Sequence, residues 1–185
     1  MALPTTSHVV LGMLSFGPMS GYELTQFVAK SVANFWPISK SQVYGELARL
    51  AELGLVKSTA VEQEKLPDKR TYELTGQGEQ ALDEWLSSPK MEADRQRSEF
   101  LVRIFFGHRL SRLQLLDLLD RYAQGAAQCR QELQAVVESL GQSPHSQYAR
   151  ATALLGVRVA EAVVAWAEEI RPELEKSRAR RGARR

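Results

Sequence analysis

The chain has 185 residues, 44% of them hydrophobic, with one cysteine and a formal net charge of +2. That length leaves room for two small domains and no more, and the apolar content is ample for a core. One cysteine excludes an intrachain disulfide, the apolar runs fall far short of the ~20 residues that cross a bilayer, and no charged-then-apolar leader is visible, so a cytoplasmic protein without a membrane segment is expected.

His8 to Phe16 reads as a short apolar helix, broken at Gly17-Pro18 because proline disfavours helix in the residue before it. Ser20 and Glu23 then spell a capping box ahead of a buried stripe of Leu24, Phe27, Val28 and Val32, and Pro37 ends that helix. A second box, Ser39 with Gln42, opens the next helix, which runs to Gly54. On it Val43, Leu47 and Leu50 share one face, while Ser41, Gly45 and Ala48 share the opposite one. From Leu55 to Thr75 alternating β-branched residues predict a hairpin with Lys65-Leu66-Pro67-Asp68-Lys69 at its tip.

Helices followed by a hairpin in this order predict a winged helix-turn-helix. Its third helix has the narrow outer face that a recognition helix needs. Lys40, Ser41, Gln42, Tyr44 and Arg49 are placed to face a DNA groove, and Lys65, Lys69 and Arg70 of the wing to lie against phosphate. Gly45 costs roughly 1 kcal/mol against alanine in a helix interior, so either close approach to DNA or packing against another helix must account for it.

Gly76-Gln77-Gly78 starts a helix through Trp85, and Ser87-Ser88-Pro89 closes it ahead of a polar linker. The expected division is a winged helix over 1–87, a linker over 88–97, a helical dimerisation domain over 98–176 and a basic, disordered tail over 177–185. The fold class is mainly α with a small β-wing. Leu101, Ile104, Phe105 and Phe106 predict a short helix buried between others. From Ser111 to Leu140 the residues Leu115, Leu119, Tyr122, Ala126, Cys129, Leu133, Val136 and Leu140 recur alternately four and three apart, which is a heptad seam. A last helix runs from about Gln147 to Glu169 or beyond, with Leu155, Val159, Ala162, Trp166 and Ile170 on one stripe before Pro172. Pairing these two helices across a twofold axis makes Leu115, Leu119, Tyr122, Ala126, Leu133, Leu155, Val159 and Trp166 the expected dimer contacts.

His8, His108 and His145 are scattered without metal-ligand spacing, and no nucleophile elbow, Walker loop or dinucleotide fingerprint occurs, so no catalytic residue, metal or cofactor is expected. Over residues 1–87 seven cations face ten carboxylates, and the basicity sits mostly in the five arginines of the tail. DNA binding would then rest on local clustering in two copies of the chain. A helical dimeric adaptor for other proteins, keeping a winged helix that reads no DNA, is the alternative.

Several motifs stand in register. Val10-Leu11-Gly12-Met13-Leu14 is followed by Pro18-Met19-Ser20-Gly21-Tyr22-Glu23-Leu24, then Val43-Tyr44 with Arg49-Leu50 and Gly54-Leu55-Val56, then Arg70-Thr71-Tyr72-Glu73-Leu74-Thr75 with Gly78. Together they resemble the PadR family of bacterial transcription regulators over residues 8 to about 87. The second half is similar in length and order to the helical C-terminal domain of its virulence-activator-like subgroup. The chain departs from the family pattern at Ser41, Gly45 and Ala51. The resemblance implies a homodimeric regulator of transcription, a repressor on a pseudo-palindromic operator, with double-stranded DNA as partner. It also implies a small aromatic effector, for which Trp166 is the candidate side chain; core packing is the alternative for Trp166, as for Trp36 and Trp85.

Overall fold

The computed structural model describes residues 3–61, 69–89, 97–141 and 146–176. The chain divides into two compact units, Met1–Ala93 and Asp94–Arg185.

The first unit runs α1 (Thr5–Leu14), β1 (Met19–Ser20), α2 (Gly21–Ser31), α3 (Lys40–Glu52), β2 (Val56–Val61), β3 (Lys69–Leu74) and α4 (Gly76–Leu86). Both capping boxes form. The Ser20 hydroxyl accepts from the Glu23 amide while the Glu23 carboxylate accepts from the Ser20 amide, and Ser39 and Gln42 repeat the exchange at α3. Val10, Leu11, Leu24, Val28, Val43, Leu47 and Leu50, all at most 1% exposed, interlock the first three helices, with Val56 and Leu82 completing the core. At the end of α3 Gly54 takes a φ of +71°, the left-handed geometry that glycine adopts without a Cβ penalty, and the Thr75 hydroxyl donates to its carbonyl at 2.7 Å.

The sheet is antiparallel in the order β1-β3-β2, with Val56 opposite Leu74, Val61 opposite Lys69 and Met19 opposite Tyr72. The two-residue β1 has too short an apolar pattern to be read in advance. α2 stops at Ser31 rather than at Pro37, because Val32 to Trp36 fold into turns in which the Trp36 amide donates to the Val32 carbonyl at 2.7 Å. The expected hairpin tip falls outside the described residues as far as Asp68, Lys65 included.

The second unit comprises α5 (Glu99–Phe105), a single 3-10 turn (Gly107–Arg109), α6 (Arg112–Ser139) and α7 (Ser146–Lys176). The last two form an antiparallel hairpin. Arg112 donates to the Glu175 carbonyl at 3.3 Å, Arg171 pairs with Asp120, and Arg150 donates to the Val137 carbonyl at 3.2 Å. A Cβ on Gly156 would stand 2.6 Å from Leu133 Cδ1, so the two helices approach closely there.

This hairpin gives α6 and α7 contacts within one protomer that the expected pairing across a twofold axis did not include. The partner of α6 is α7 of the same chain. Leu115, Leu119 and Leu133 are at most 6% exposed in one protomer, so in this hairpin their side chains face their own protomer's core rather than solvent. Tyr122 stacks on Phe100 and Ala126 is half-buried. A straight α-helix drifts about 20° per heptad against a 3.5-residue repeat. By the fourth turn beyond Tyr122 the contact line has moved from Val136, which is 36% exposed, to Val137, which is 3% exposed.

On α7 the inward residues are Ala153, Val157, Ala160 and Ala167, while Leu155 and Val159 stand 67% and 56% exposed. The helix continues through Pro172, because Ile170 and Leu174 on either side pack against the cluster of Phe100, Leu119 and Ala167. One lost backbone bond is outweighed by that burial. α5 also differs from expectation: Phe100 is its buried anchor, whereas Leu101, Phe105 and Phe106 are 51%, 79% and 54% exposed.

Candidate nucleic-acid interface

α3 turns Val43, Leu47 and Leu50 inward and leaves Lys40, Ser41, Gln42, Tyr44, Gly45 and Ala48 exposed. The outer face is small and open. No atom lies within 4 Å of where a Cβ on Gly45 would be, which removes helix packing as the reason for that glycine.

One flank of this face carries Lys40 and Tyr44, with the ammonium 5.9 Å from the ring centroid. The ring of Tyr44 lies across Gly21 at the start of α2. A Cβ on Gly21 would come within 2.7 Å of Tyr44 Cε1, so the absence of a side chain at residue 21 is what lets the ring settle there. The other flank carries Gln42, whose side-chain oxygen accepts from the Ser39 amide at 2.9 Å; the Ser41 hydroxyl is 3.0 Å from that of Ser39. Both residues thus serve the helix cap as well as the surface.

Arg49 is drawn further in. Its side chain is 34% exposed and lies 3.8 Å from the Glu46 carboxylate, whose own side chain is 17% exposed and accepts a hydrogen bond from the fully buried Ser7 of α1. In the wing Arg70 is exposed on β3, Lys69 opens that strand, and Lys57, which sequence reasoning passed over, pairs across the strands with Glu73 at 2.7 Å. Glu52, also passed over, is exposed at the end of α3 on the same side as Ser41 and Ala48.

The tryptophans are engaged in packing. Trp36 Nε1 donates to the Thr6 hydroxyl at 3.3 Å, Trp85 stacks on His8 with centroids 4.5 Å apart, and Trp166 meets Phe100 edge-on at 5.9 Å. Burial lowers the pKa of His8, partly countered by the Pro4 carbonyl 3.1 Å from Nδ1. His108 is exposed and Cys129 half-buried. Among the described residues no three His, Cys, Asp or Glu side chains converge as a metal site, and no helix is long and apolar enough to cross a membrane.

Three interlocked helices, the third with a bare outer face, followed by the β2–β3 hairpin of a three-stranded sheet, define a winged helix-turn-helix protein of the transcription-regulator class. Residues 10–84 match the transcriptional regulator PadR-like family, and residues 96–175 match the virulence activator alpha C-terminal domain. The chain belongs to the PadR-like family. It is 31% identical over 134 residues to the negative transcriptional regulator PadR of Bacillus subtilis, spanning 72% of this chain and 73% of that one. The crystal structure of Bacillus subtilis PadR in complex with operator DNA superposes with a TM-score of 0.82 at 26% identity, over 92% of this chain and 99% of that one. Its structure in complex with p-coumaric acid gives 0.78 at 25% identity, over 94% and 100%.

Proposed function

We propose that this regulator represses transcription by binding, as a homodimer in the cytoplasm, a pseudo-palindromic operator with one α3 in each major-groove half-site. The observation that carries the reading is the outer face of α3, where Gly45 is open on every side between exposed Ser41 and Ala48. A helix with so little side-chain bulk can bring its backbone close to base edges, while Lys40, Gln42, Tyr44 and Arg49 reach from the flanks. Lys65, Lys69 and Arg70 hold phosphate beside the groove.

Two copies associate in this reading through the outer stripe of α7, where exposed Tyr148, Leu155 and Val159 recur at seven- and four-residue spacing. Leu115, Leu119 and Leu133 support that interface only by holding α7 in place. Tyr122, Ala126 and Trp166 belong to the same support. A small aromatic effector completes the proposal. Trp166 keeps part of its ring accessible beside Phe100 and Tyr122, and the similar protein from Bacillus subtilis has been crystallised with p-coumaric acid.

Selection of bound sequences from a random duplex pool, followed by titration at several salt concentrations, tests the DNA reading. An inverted repeat with half-site centres about one helical turn or a multiple apart is expected, with affinity falling steeply as salt rises. An adaptor that reads no DNA would enrich no sequence. Titration with aromatic acids tests the effector: quenching that Trp166→Phe abolishes, together with operator release, is the expected result.

A further inference from the structure

We propose that Glu46 and Ser7 are positioning residues that aim Arg49 at the DNA, an inference that rests on the DNA-binding reading above. Glu46 and Arg49 lie three residues apart on α3, so their side chains share one flank. An exposed pair of this kind contributes little to stability and does not hold an arginine still. Here the carboxylate is not left to solvent. Its Oε2 accepts the hydroxyl of Ser7, a residue on α1 with no exposed surface, and the same oxygen faces Arg49 Nη1 at 3.8 Å.

The geometry is a relay from the core to the surface. Ser7 cannot move without disturbing α1, Glu46 is fixed by the hydrogen bond it accepts from Ser7, and its carboxylate attracts the Arg49 guanidinium across 3.8 Å. The guanidinium is thereby restrained beside the bare face that Ser41, Gly45 and Ala48 form, and less of its rotamer freedom remains to be lost when it meets a base. A negative charge on a DNA-reading helix otherwise works against binding. The Glu46 carboxylate is turned toward the buried Ser7 hydroxyl, unlike that of Glu52, which is exposed on the bare face.

The experiment compares wild type with Glu46→Gln, Ser7→Ala, Arg49→Ala and the double variant Glu46→Gln/Arg49→Ala on selected operator and on random duplex. Glu46→Gln keeps an acceptor for Ser7 but loses the charge that holds Arg49, so it separates positioning from folding if Ser7→Ala unfolds the unit. Arg49→Ala should weaken operator binding about tenfold or more. Glu46→Gln should weaken it several-fold while leaving random-duplex affinity equal or tighter, and the double variant should be no weaker than Arg49→Ala alone.

Glu46→Gln tightening operator and random duplex alike would mean that Glu46 is only a repelling charge, and the inference would be overturned. It would be overturned equally if the two losses multiplied in the double variant, or if Arg49→Ala left operator binding unchanged. Wild-type protein that selects no operator would instead defeat the DNA-binding reading itself.

Discussion

Replacing Gly45 by alanine separates what the α3 face does for stability from what it does for recognition. The residue is interior to a 13-residue helix with negative φ, and a Cβ there meets no atom within 4 Å, so the new methyl neither clashes nor gains contacts. What remains is helix propensity, about 0.8–1 kcal/mol in favour of alanine, part of it acting through the unfolded chain. For a unit the size of Met1–Ala93 this raises the melting temperature by about 3–8 °C. Against the groove the same methyl holds the helix backbone away from base edges, for which a tenfold loss, about 1.4 kcal/mol, is the expected scale. Far-UV circular dichroism follows the first effect and anisotropy of labelled operator the second. A more stable protein with operator affinity within twofold of wild type would refute the assignment of this face to DNA; an unchanged melting temperature would refute the helix account.

Gly78→Ala should destabilise the winged helix by roughly 1–3 kcal/mol in urea denaturation, because its Cβ would fall 2.0 Å from the Leu55 carbonyl oxygen, where backbone meets backbone. His8 has a folded-state pKa below 6.5, so the unfolded chain takes up protons first as pH falls; stability is full above pH 6.5 and is lost below it. The melting temperature should therefore drop as pH falls through about 6.5, and His8→Gln should flatten that part of the profile. Leu119→Glu buries an uncompensated carboxylate at a site with no exposed surface and should unfold the helical unit, at a cost of at least ~3 kcal/mol. Val159→Glu, on the exposed stripe, should leave helicity intact and shift sedimentation from dimer to monomer.

Local chemistry was the legible part of this chain. Each capping box involves residues three apart, and a pattern of that range is complete within the sequence, as Ser20 with Glu23 and Ser39 with Gln42 demonstrate. The periodicity of α6 was equally visible, but period does not name a partner. Leu119 is as apolar facing its own α7 as facing a second chain, and only the antiparallel hairpin decides between them. The end of α7 stayed open in the sequence, because proline's local cost at residue 172 is readable and the packing of Ile170 and Leu174 around it is not. The contact of Ser7 with Glu46 spans 39 positions, and neither residue type is unusual where it stands. Arg49 was found from its helix face, while the restraint upon it required the fold.

The closure of the α6–α7 hairpin upon itself also bears on dosage. Many dimeric proteins have no folded monomer, so assembly and folding are a single event. Here Leu115, Leu119 and Leu133 are enclosed by one protomer, and the exposed stripe of α7 is left over after the core is complete. If two copies join through that stripe, as proposed, a protomer can enclose its own helical core before it meets a second one, and folding need not wait for association. Occupancy of an operator that needs both copies would then rise more steeply than in proportion to protomer concentration, so that a change in synthesis rate would be sharpened at the promoter.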